Sequence, residues 1–351
     1  MEKITTVGLD LAKQVIAVHG MDHRGSRVLR KTLRRDALLA WSAAVPPCVM
    51  AMEACGGAHH WARELARQGH TVRIIAAEFV RPFRKSGKND ANDAEAICTA
   101  ARQPNMRFVS IKTVEQQAAL CMHRLRQGLI EERTALINRL RGLLTEFGMV
   151  APLSPEKLRR ALACCRDDTD GRLPLLLRPL IEDQLSALDR LEERIAAYAE
   201  RITAQARGDE RAQRLQVIAG VGPLTAAALV ATVGRPDEFR NGRQFAAWIG
   251  LTPRQHSTGG KTRLGRITKR GDAYLRMLLI LGAKSALQAA LRKPPQLRHG
   301  LHRWIVEVYG RIGYHKTLVA IANKHARIIW ALLVKGEAFD LKRWDPTATA
   351  M

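Results

Sequence analysis

The sequence predicts an α/β N-terminal part, a long helical middle and a mainly α C-terminal part. Short apolar, β-branched runs crowd the chain up to residue 76. Apolar positions then recur at helical spacing from about 113 to 208. The remainder keeps a helical pattern broken by Gly.

The elements follow in order. Residues 4–10 (ITTVGLD) make a strand that ends in an acid, and 14–20 (QVIAVHG) alternate and pair with it as a hairpin. Residues 27–33 (RVLRKTL) supply a third strand. A short helix around 36–44 leads to CVMAME at 48–53, a buried strand that again ends in an acid. Ala58–Gln68 is a helix and TVRIIA at 71–76 another strand. Three antiparallel strands followed by strand–helix units give a ribonuclease-H-like layout. Between Thr113 and Phe147, Leu120, Leu125, Leu129, Leu136, Ile137, Leu140 and Leu144 repeat without an intervening Pro, which predicts one long amphipathic helix. Residues 151–175, with Pro152, Pro155 and Pro174, read as a connector. Residues 178–208 return to helical spacing through Leu180, Leu185, Leu188, Leu191 and Ile195. These two helices pair with each other or with a second subunit. The expected division is therefore 1–110, 111–208 and 209–351, with Pro346–Met351 frayed.

The charge narrows the function. Lys plus Arg is 57 against 33 Asp plus Glu, a net charge of +24. Such a field attracts polyanions, and neutralised phosphates release counterions. The excess is uneven: residues 211–351 hold 24 Lys/Arg and 7 Asp/Glu, while the rest holds 33 and 26. The C-terminal part is thus the main polyanion surface. The six Cys show neither CxxC spacing nor His at zinc intervals, which argues against a disulfide or zinc framework and for a reducing compartment. With no apolar run of 18 residues and no leader pattern at Met1, the expectation is a cytoplasmic chain away from membranes.

Three constellations carry chemistry. The first is four acids: Asp10 in GLDLAK, Glu53 in MEACGG, and Asp90 and Asp93 in KNDANDAEA. The i, i+3 spacing puts the last two on one helical face. Carboxylates at strand ends and a helix start can converge on Mg²⁺ and serve phosphoryl transfer, or they are solvated acids with Asp90 as a helix cap. Glu95 reads as a neighbour of this set. The second is LQVIAGVGPLTAAALVATVG (215–234), a helix-hairpin-helix signature. Gly220 and Gly222 let the backbone approach a phosphate, and Pro223 opens the next helix. The third is GLTPRQHSTGGKTRLGRITKRGDAYLRMLL (250–279), with seven Lys/Arg and one acid between Arg254 and Arg276. Its Ser257–Lys261 stretch reads as an exposed loop, where a hydroxyl is a phosphate contact or a nucleophile. Lys261, Arg263, Arg266, Lys269 and Arg270 face phosphate charge in either case. His59, His60, His256 and His315 read as structural or phosphate-contacting, and Trp61, Trp248 and Trp330 as core.

GLDLAK, MEACGG, KNDANDAEAI, IAGVGPLTAAALVATVG and the 250–279 segment occur in the order found in the DEDD transposases of an insertion-sequence family, which are bridge-RNA-guided recombinases. The sequence resembles that family from about Ile4 to Leu291. The resemblance implies a resolvase-like, ribonuclease-H-fold N-terminal domain with Asp10, Glu53, Asp90 and Asp93 as a Mg²⁺-binding tetrad. It implies a C-terminal transposase domain whose serine nucleophile matches Ser257, with Thr258 adjacent and Ser285 more distant. It further implies donor and target DNA, a guide RNA that does the sequence reading, and a homo-oligomer (dimer or tetramer) with composite sites. Two other functions fit the residues alone: a metal-dependent junction endonuclease that uses water, and a non-catalytic nucleic-acid scaffold.

Overall fold

The computed structural model describes residues 4–85, 87, 89–151, 153–166, 174–298 and 300–336. The expected frayed end at Pro346–Met351 lies outside them. The chain separates into two compact units, Met1–Val114 and Glu115–Met351.

The first unit is built on one mixed sheet. Strands β1 (Thr6–Leu11), β2 (Val15–Met21) and β3 (Arg27–Arg34) run antiparallel. Helix α1 (Leu38–Ala43) leads to β4 (Val49–Glu53), which lies parallel to β1. Helix α2 (Ala58–Arg67) then leads to β5 (Thr71–Ile75), parallel to β4. A short helix α3 (Ala77–Val80), α4 (Asp90–Ala101) and a two-residue strand β6 (Phe108–Val109) complete it. The strand order is β3-β2-β1-β4-β5-β6.

Strand alternation sends successive side chains to opposite faces. Val7, Leu9, Met50 and Met52 go to the α2 face, where they pack with Trp61, Ala62 and Leu65. Ala51 goes to the other face and packs with Ala96, Ile97 and Ala100 of α4. Gly8 shares that second face. A Cβ there would lie 2.2 Å from the Ala94 carbonyl oxygen and 2.6 Å from the Cys98 nitrogen. The helix backbone therefore rests directly on β1, an approach that only Gly permits.

Among its described residues the second unit is helical apart from one hairpin. It comprises α5 (Val114–Glu146), α6 (Pro155–Arg166), α7 (Leu177–Arg207), α8 (Glu210–Leu215), α9 (Pro223–Thr232), α10 (Gly242–Trp248), β7 (Pro253–Thr258), β8 (Lys261–Ile267), α11 (Ala273–Arg292), α12 (Gly300–Ile312) and α13 (Tyr314–Lys335). The expected connector at 151–175 contains α6, whose first residue is Pro155, a position where the missing N–H costs nothing. Leu158 and Leu162 of α6 join Leu136, Leu140 and Leu144 of α5 and Leu188 of α7 in one cluster, so the two long helices share a core within this chain. A second core gathers α8 to α13 and the end of α7. Helices α11 and α13 are long and apolar enough to cross a membrane by length and composition. Here Leu275, Leu279, Ala283, Ile321, Ala326 and Ile329 bury their apolar faces in this core.

Candidate active site

Alternation and register build the acid site. Gly8 pairs with Ala51 across the parallel β1–β4 ladder. Two residues further on, Asp10 and Glu53 stand side by side at the carboxyl ends of these strands, on the α4 face. Because α4 sits on Gly8, its first turn brings Asp90 and Asp93 to the same edge. Asn89, not Asp90, caps the helix: its side chain accepts the Asn92 N–H at 2.8 Å. Both aspartates are therefore released from capping. Asp93 is buried and Asp90 exposed.

The electrostatics report the convergence. Burial, then the charges of Asp93, Asp90 and Glu53, push the Asp10 carboxyl up to about 6 against the opposing pull of Arg84. Burial and the Glu53 and Asp10 charges also push the Cys55 thiol up. Glu95 turns away to Lys85, at 2.5 Å. Sequence reasoning missed Arg84. Its Nε lies 2.8 Å from Asp93 Oδ1 and its Nη2 3.6 Å from Glu53 Oε2, so it bridges two of the four acids. Among the described residues no three His, Cys, Asp or Glu side chains converge closely enough to enclose a metal ion. The donor set nevertheless fits a hard divalent cation. It is all carboxylate oxygen, its members repel one another, and the positive charge beside it is a side chain that can swing away.

The C-terminal basic segment differs from its expectation. Ser257 lies on a strand: β7 and β8 form an antiparallel hairpin closed by Gly259 and Gly260, both with positive φ. The expected exposure holds, since every residue of the two strands except Ile267 is solvent-exposed. Register assigns the faces. Ser257 pairs with Thr262 and Gln255 with Leu264, which puts these four on one face. His256 pairs with Arg263 and Thr258 with Lys261, so both cations lie on the face opposite Ser257. Gly265 and Arg266 sit at the irregularity facing Arg254. The Gln255 amide donates to Ser257 Oγ at 2.8 Å. Thr258 occupies the cationic face, and Ser285 on α11 back-bonds to the Leu281 carbonyl oxygen at 3.4 Å.

The hairpin is anchored at its foot. The Thr268 N–H donates to the Thr252 carbonyl oxygen (2.9 Å), and the Lys269 N–H to that of Gly250 (3.2 Å). Lys269 adopts φ 55, a conformation that costs free energy in a non-glycine residue. Arg276 Nη1 donates to the carbonyl oxygens of Ile249 and Arg270, each at 2.9 Å. Lys269 and Arg270 are both exposed beside this anchor.

The two glycines of 215–234 have different jobs. Gly220 (φ 88) meets Gly282 of α11: a Cβ on either residue would fall about 2 Å from the other's carbonyl oxygen, at 2.1 and 2.2 Å. Gly220 thus serves helix packing. Gly222 has open space around it and precedes Pro223 at the start of α9, which leaves the helix N-terminus accessible. His59 Nδ1 accepts the Lys112 N–H at 3.2 Å and is structural. Trp61 is buried, Trp330 Nε1 donates to the Pro236 carbonyl oxygen, and Trp248 is partly exposed, its ring stacked on Phe245.

Comparison with known proteins agrees across the chain. A family model described as "Transposase IS116/IS110/IS902 family" matches residues 212–312, and a model of DEDD transposases of the IS110 type, described as "Transposase", matches residues 7–149. A probable family 20 transposase of Pseudomonas aeruginosa is 48% identical over 94% of this chain and 97% of its own length. The transposase for insertion sequence element IS1111A of Coxiella burnetii is 39% identical, over 97% and 92%. The transposase for insertion sequence element IS1328 of Yersinia enterocolitica is 38% identical, over 97% and 99%. With two family models in sequence order and full-length relatives above a third identity, this chain belongs to the IS116/IS110/IS902 family of transposases.

Proposed function

We propose that this transposase cleaves and rejoins DNA through a serine–phosphate intermediate, with Ser257 as nucleophile and Asp10, Glu53, Asp90 and Asp93 as the metal-binding acids. Membership of the family makes it a DNA-cleaving and rejoining enzyme. The observation that supports the acid assignment is the convergence of four acids from three separate segments at one sheet edge, with Arg84 2.8 Å from Asp93 and the Asp10 carboxyl pushed up by burial and by the charges of the other three. When bound there, Mg²⁺ would supply Lewis-acid polarisation of the scissile phosphate.

This chain's own residues do the rest. The Ser257 oxygen forms a P–O bond to the scissile phosphorus as one P–O ester bond of the strand breaks. The serine proton leaves, and the departing strand oxygen takes up a proton. A free strand hydroxyl later attacks the serine-linked phosphorus, expels Ser257 and restores the diester. Gln255 orients Ser257 on the hairpin. Lys261 and Arg263, on the opposite face, hold a neighbouring stretch of phosphate backbone, while Arg266, Lys269, Arg270 and the Gly222 end of α9 extend the contact.

The mixed sheet of the first unit supports a ribonuclease-H-like domain at 1–110. We read 111–208 as a helical arm and 209–351 as the transposase domain with its helix-hairpin-helix. A guide RNA as sequence reader, a dimer or tetramer, and a cytoplasmic site of action complete the proposal. Exposed Leu125 and Leu143 on α5 and Leu180 on α7 support self-association through the arm.

The test is covalent trapping. The protein is incubated with element-junction DNA, guide RNA and Mg²⁺, and a denaturation-resistant protein–DNA adduct is sought. The expected result is an adduct lost in both Ser257→Ala and Asp10→Asn. Cleavage without an adduct, surviving Ser257→Ala but not Asp10→Asn, would overturn the serine assignment in favour of a water-using nuclease.

A further inference from the structure

A cavity of about 510 Å³ lies between the foot of the β7–β8 hairpin and the facing sides of α12 and α13. That size suits a small organic group. Its apolar surface comes from Val319, Pro253 and Ile267, the last two paired at the hairpin foot, over a buried Leu251. Its polar surface is one-sided: Lys316, Lys324 and Arg327 line it, and among the described residues no carboxylate does. Asn323 also faces it and donates to the Leu251 carbonyl oxygen at 3.2 Å.

The cations here are not ordinary solvated ones. Lys324 Nζ sits 4.0 Å from the centre of the Trp304 ring. Burial and the nearby Arg327 charge both lower the Lys324 pKa. A half-buried lysine that faces a second cation and an aromatic ring gains most from an anion brought to it. The apolar surface beside it asks for a flat, poorly hydrated group. One ligand joins these two chemistries: a nucleotide, whose base covers the apolar wall while its phosphate meets the cations. A base still paired in a duplex cannot enter such a cavity, so the nucleotide must be unpaired.

We propose that this cavity holds one unpaired nucleotide of the DNA strand, with its base on Pro253, Ile267 and Val319 and its phosphate among Lys316, Lys324 and Arg327. The proposal rests on the reading of this chain as a transposase that acts on DNA. It also ties the cavity to the reaction. Ser257 lies four residues along β7 from Pro253, about 13 Å at the usual rise per strand residue. A nucleotide held at the foot therefore fixes the register of the strand that passes Ser257.

The test reads binding by the full chain without metal and without cleavage, so it stands or falls apart from the serine chemistry. Fluorescence anisotropy gives Kd for a single-stranded DNA oligonucleotide, the same sequence as single-stranded RNA, and its blunt DNA duplex, each across a salt series. Ala320→Phe fills the cavity without removing a charge. It is expected to weaken single-stranded DNA binding about tenfold, the scale of one lost base contact, with the salt slope and duplex affinity unchanged. Lys316→Ala, at an exposed helix position, is expected to weaken the same complex and to reduce its salt slope by about one. An Ala320→Phe protein that melts like wild type and binds single-stranded DNA equally well would overturn the proposal. So would equal losses on single strand and duplex, or a loss confined to RNA. Should Ala320→Phe not fold, Lys316→Ala decides: an unchanged single-strand affinity and slope overturns it.

Discussion

Gly8→Ala tests how the acid site is built. The added Cβ would lie 2.2 Å from the Ala94 carbonyl oxygen and 2.6 Å from the Cys98 nitrogen, where ordinary contact begins at 3.4 Å. Both obstacles are backbone, so no side chain can rotate aside. Helix α4 must lift from β1 by roughly 1 Å, with Asp90 and Asp93 aboard. Overpacking of this kind costs about 1–3 kcal/mol, and a rigid backbone obstacle belongs at the upper end. A misplacement of about 1 Å at a reacting centre costs on the order of 100-fold in rate. Thermal unfolding and single-turnover DNA cleavage measure the two effects. Gly56→Ala is the control, because a Cβ at Gly56 meets nothing within 4 Å although it lies three residues from Glu53. Wild-type stability and cleavage in Gly8→Ala would refute the claim that direct helix–strand contact sets the acid geometry.

Other consequences are equally open to measurement. Arg84→Gln removes the cation that bridges Glu53 and Asp93, so the variant should melt lower than wild type in chelator and gain more from added Mg²⁺; equal Mg²⁺ increments in both proteins would exclude Arg84 as the metal's stand-in. Gly220→Ala should destabilise the second unit by about 3 kcal/mol or more, from backbone overlap plus positive φ, whereas Gly222→Ala should melt near wild type. His325 is buried, its two ring nitrogens lack hydrogen-bond partners among the described residues, and burial pushes its pKa down to about 4. The unfolded chain binds that proton from about pH 6.5 downward, so the stability is whole above that pH and declines on acidification towards pH 4, by up to about 3 kcal/mol. His325→Leu should flatten this part of the stability–pH curve, and an unchanged curve would show that His325 does not carry it.

Where these residues stand in the fold is partly legible in the sequence, for definite physical reasons. Asp10 and Glu53 stand out because an acid closes each of two apolar runs, and Asp90 and Asp93 because their spacing matches a helix turn. Arg84 left no trace, since no periodicity binds a loop arginine to strands that precede it by more than 30 residues. Gly8 was visible as a letter, but a strand glycine serves bulges as well as close approaches, and only the α4 backbone decides. The β7–β8 strands escaped detection because both their faces are polar, so PRQHST and KTRLGRI lack the alternation that marks a half-buried strand. Helix α6 was hidden by the prolines around it, although one of them starts it.

The hairpin that carries Ser257 has almost nothing to hold its shape. Two-stranded ribbons are marginal in water, and this one buries none of its strand residues beyond a partial share of Ile267. Its order is set from the foot and from whatever lies along it. If DNA lies along the hairpin, as proposed, part of the binding free energy goes into stiffening it, which would lower affinity for short or poorly matched duplexes more than for long ones. If Ser257 is the nucleophile, as proposed, a hydroxyl mounted in this way stays inert until enough strand is engaged.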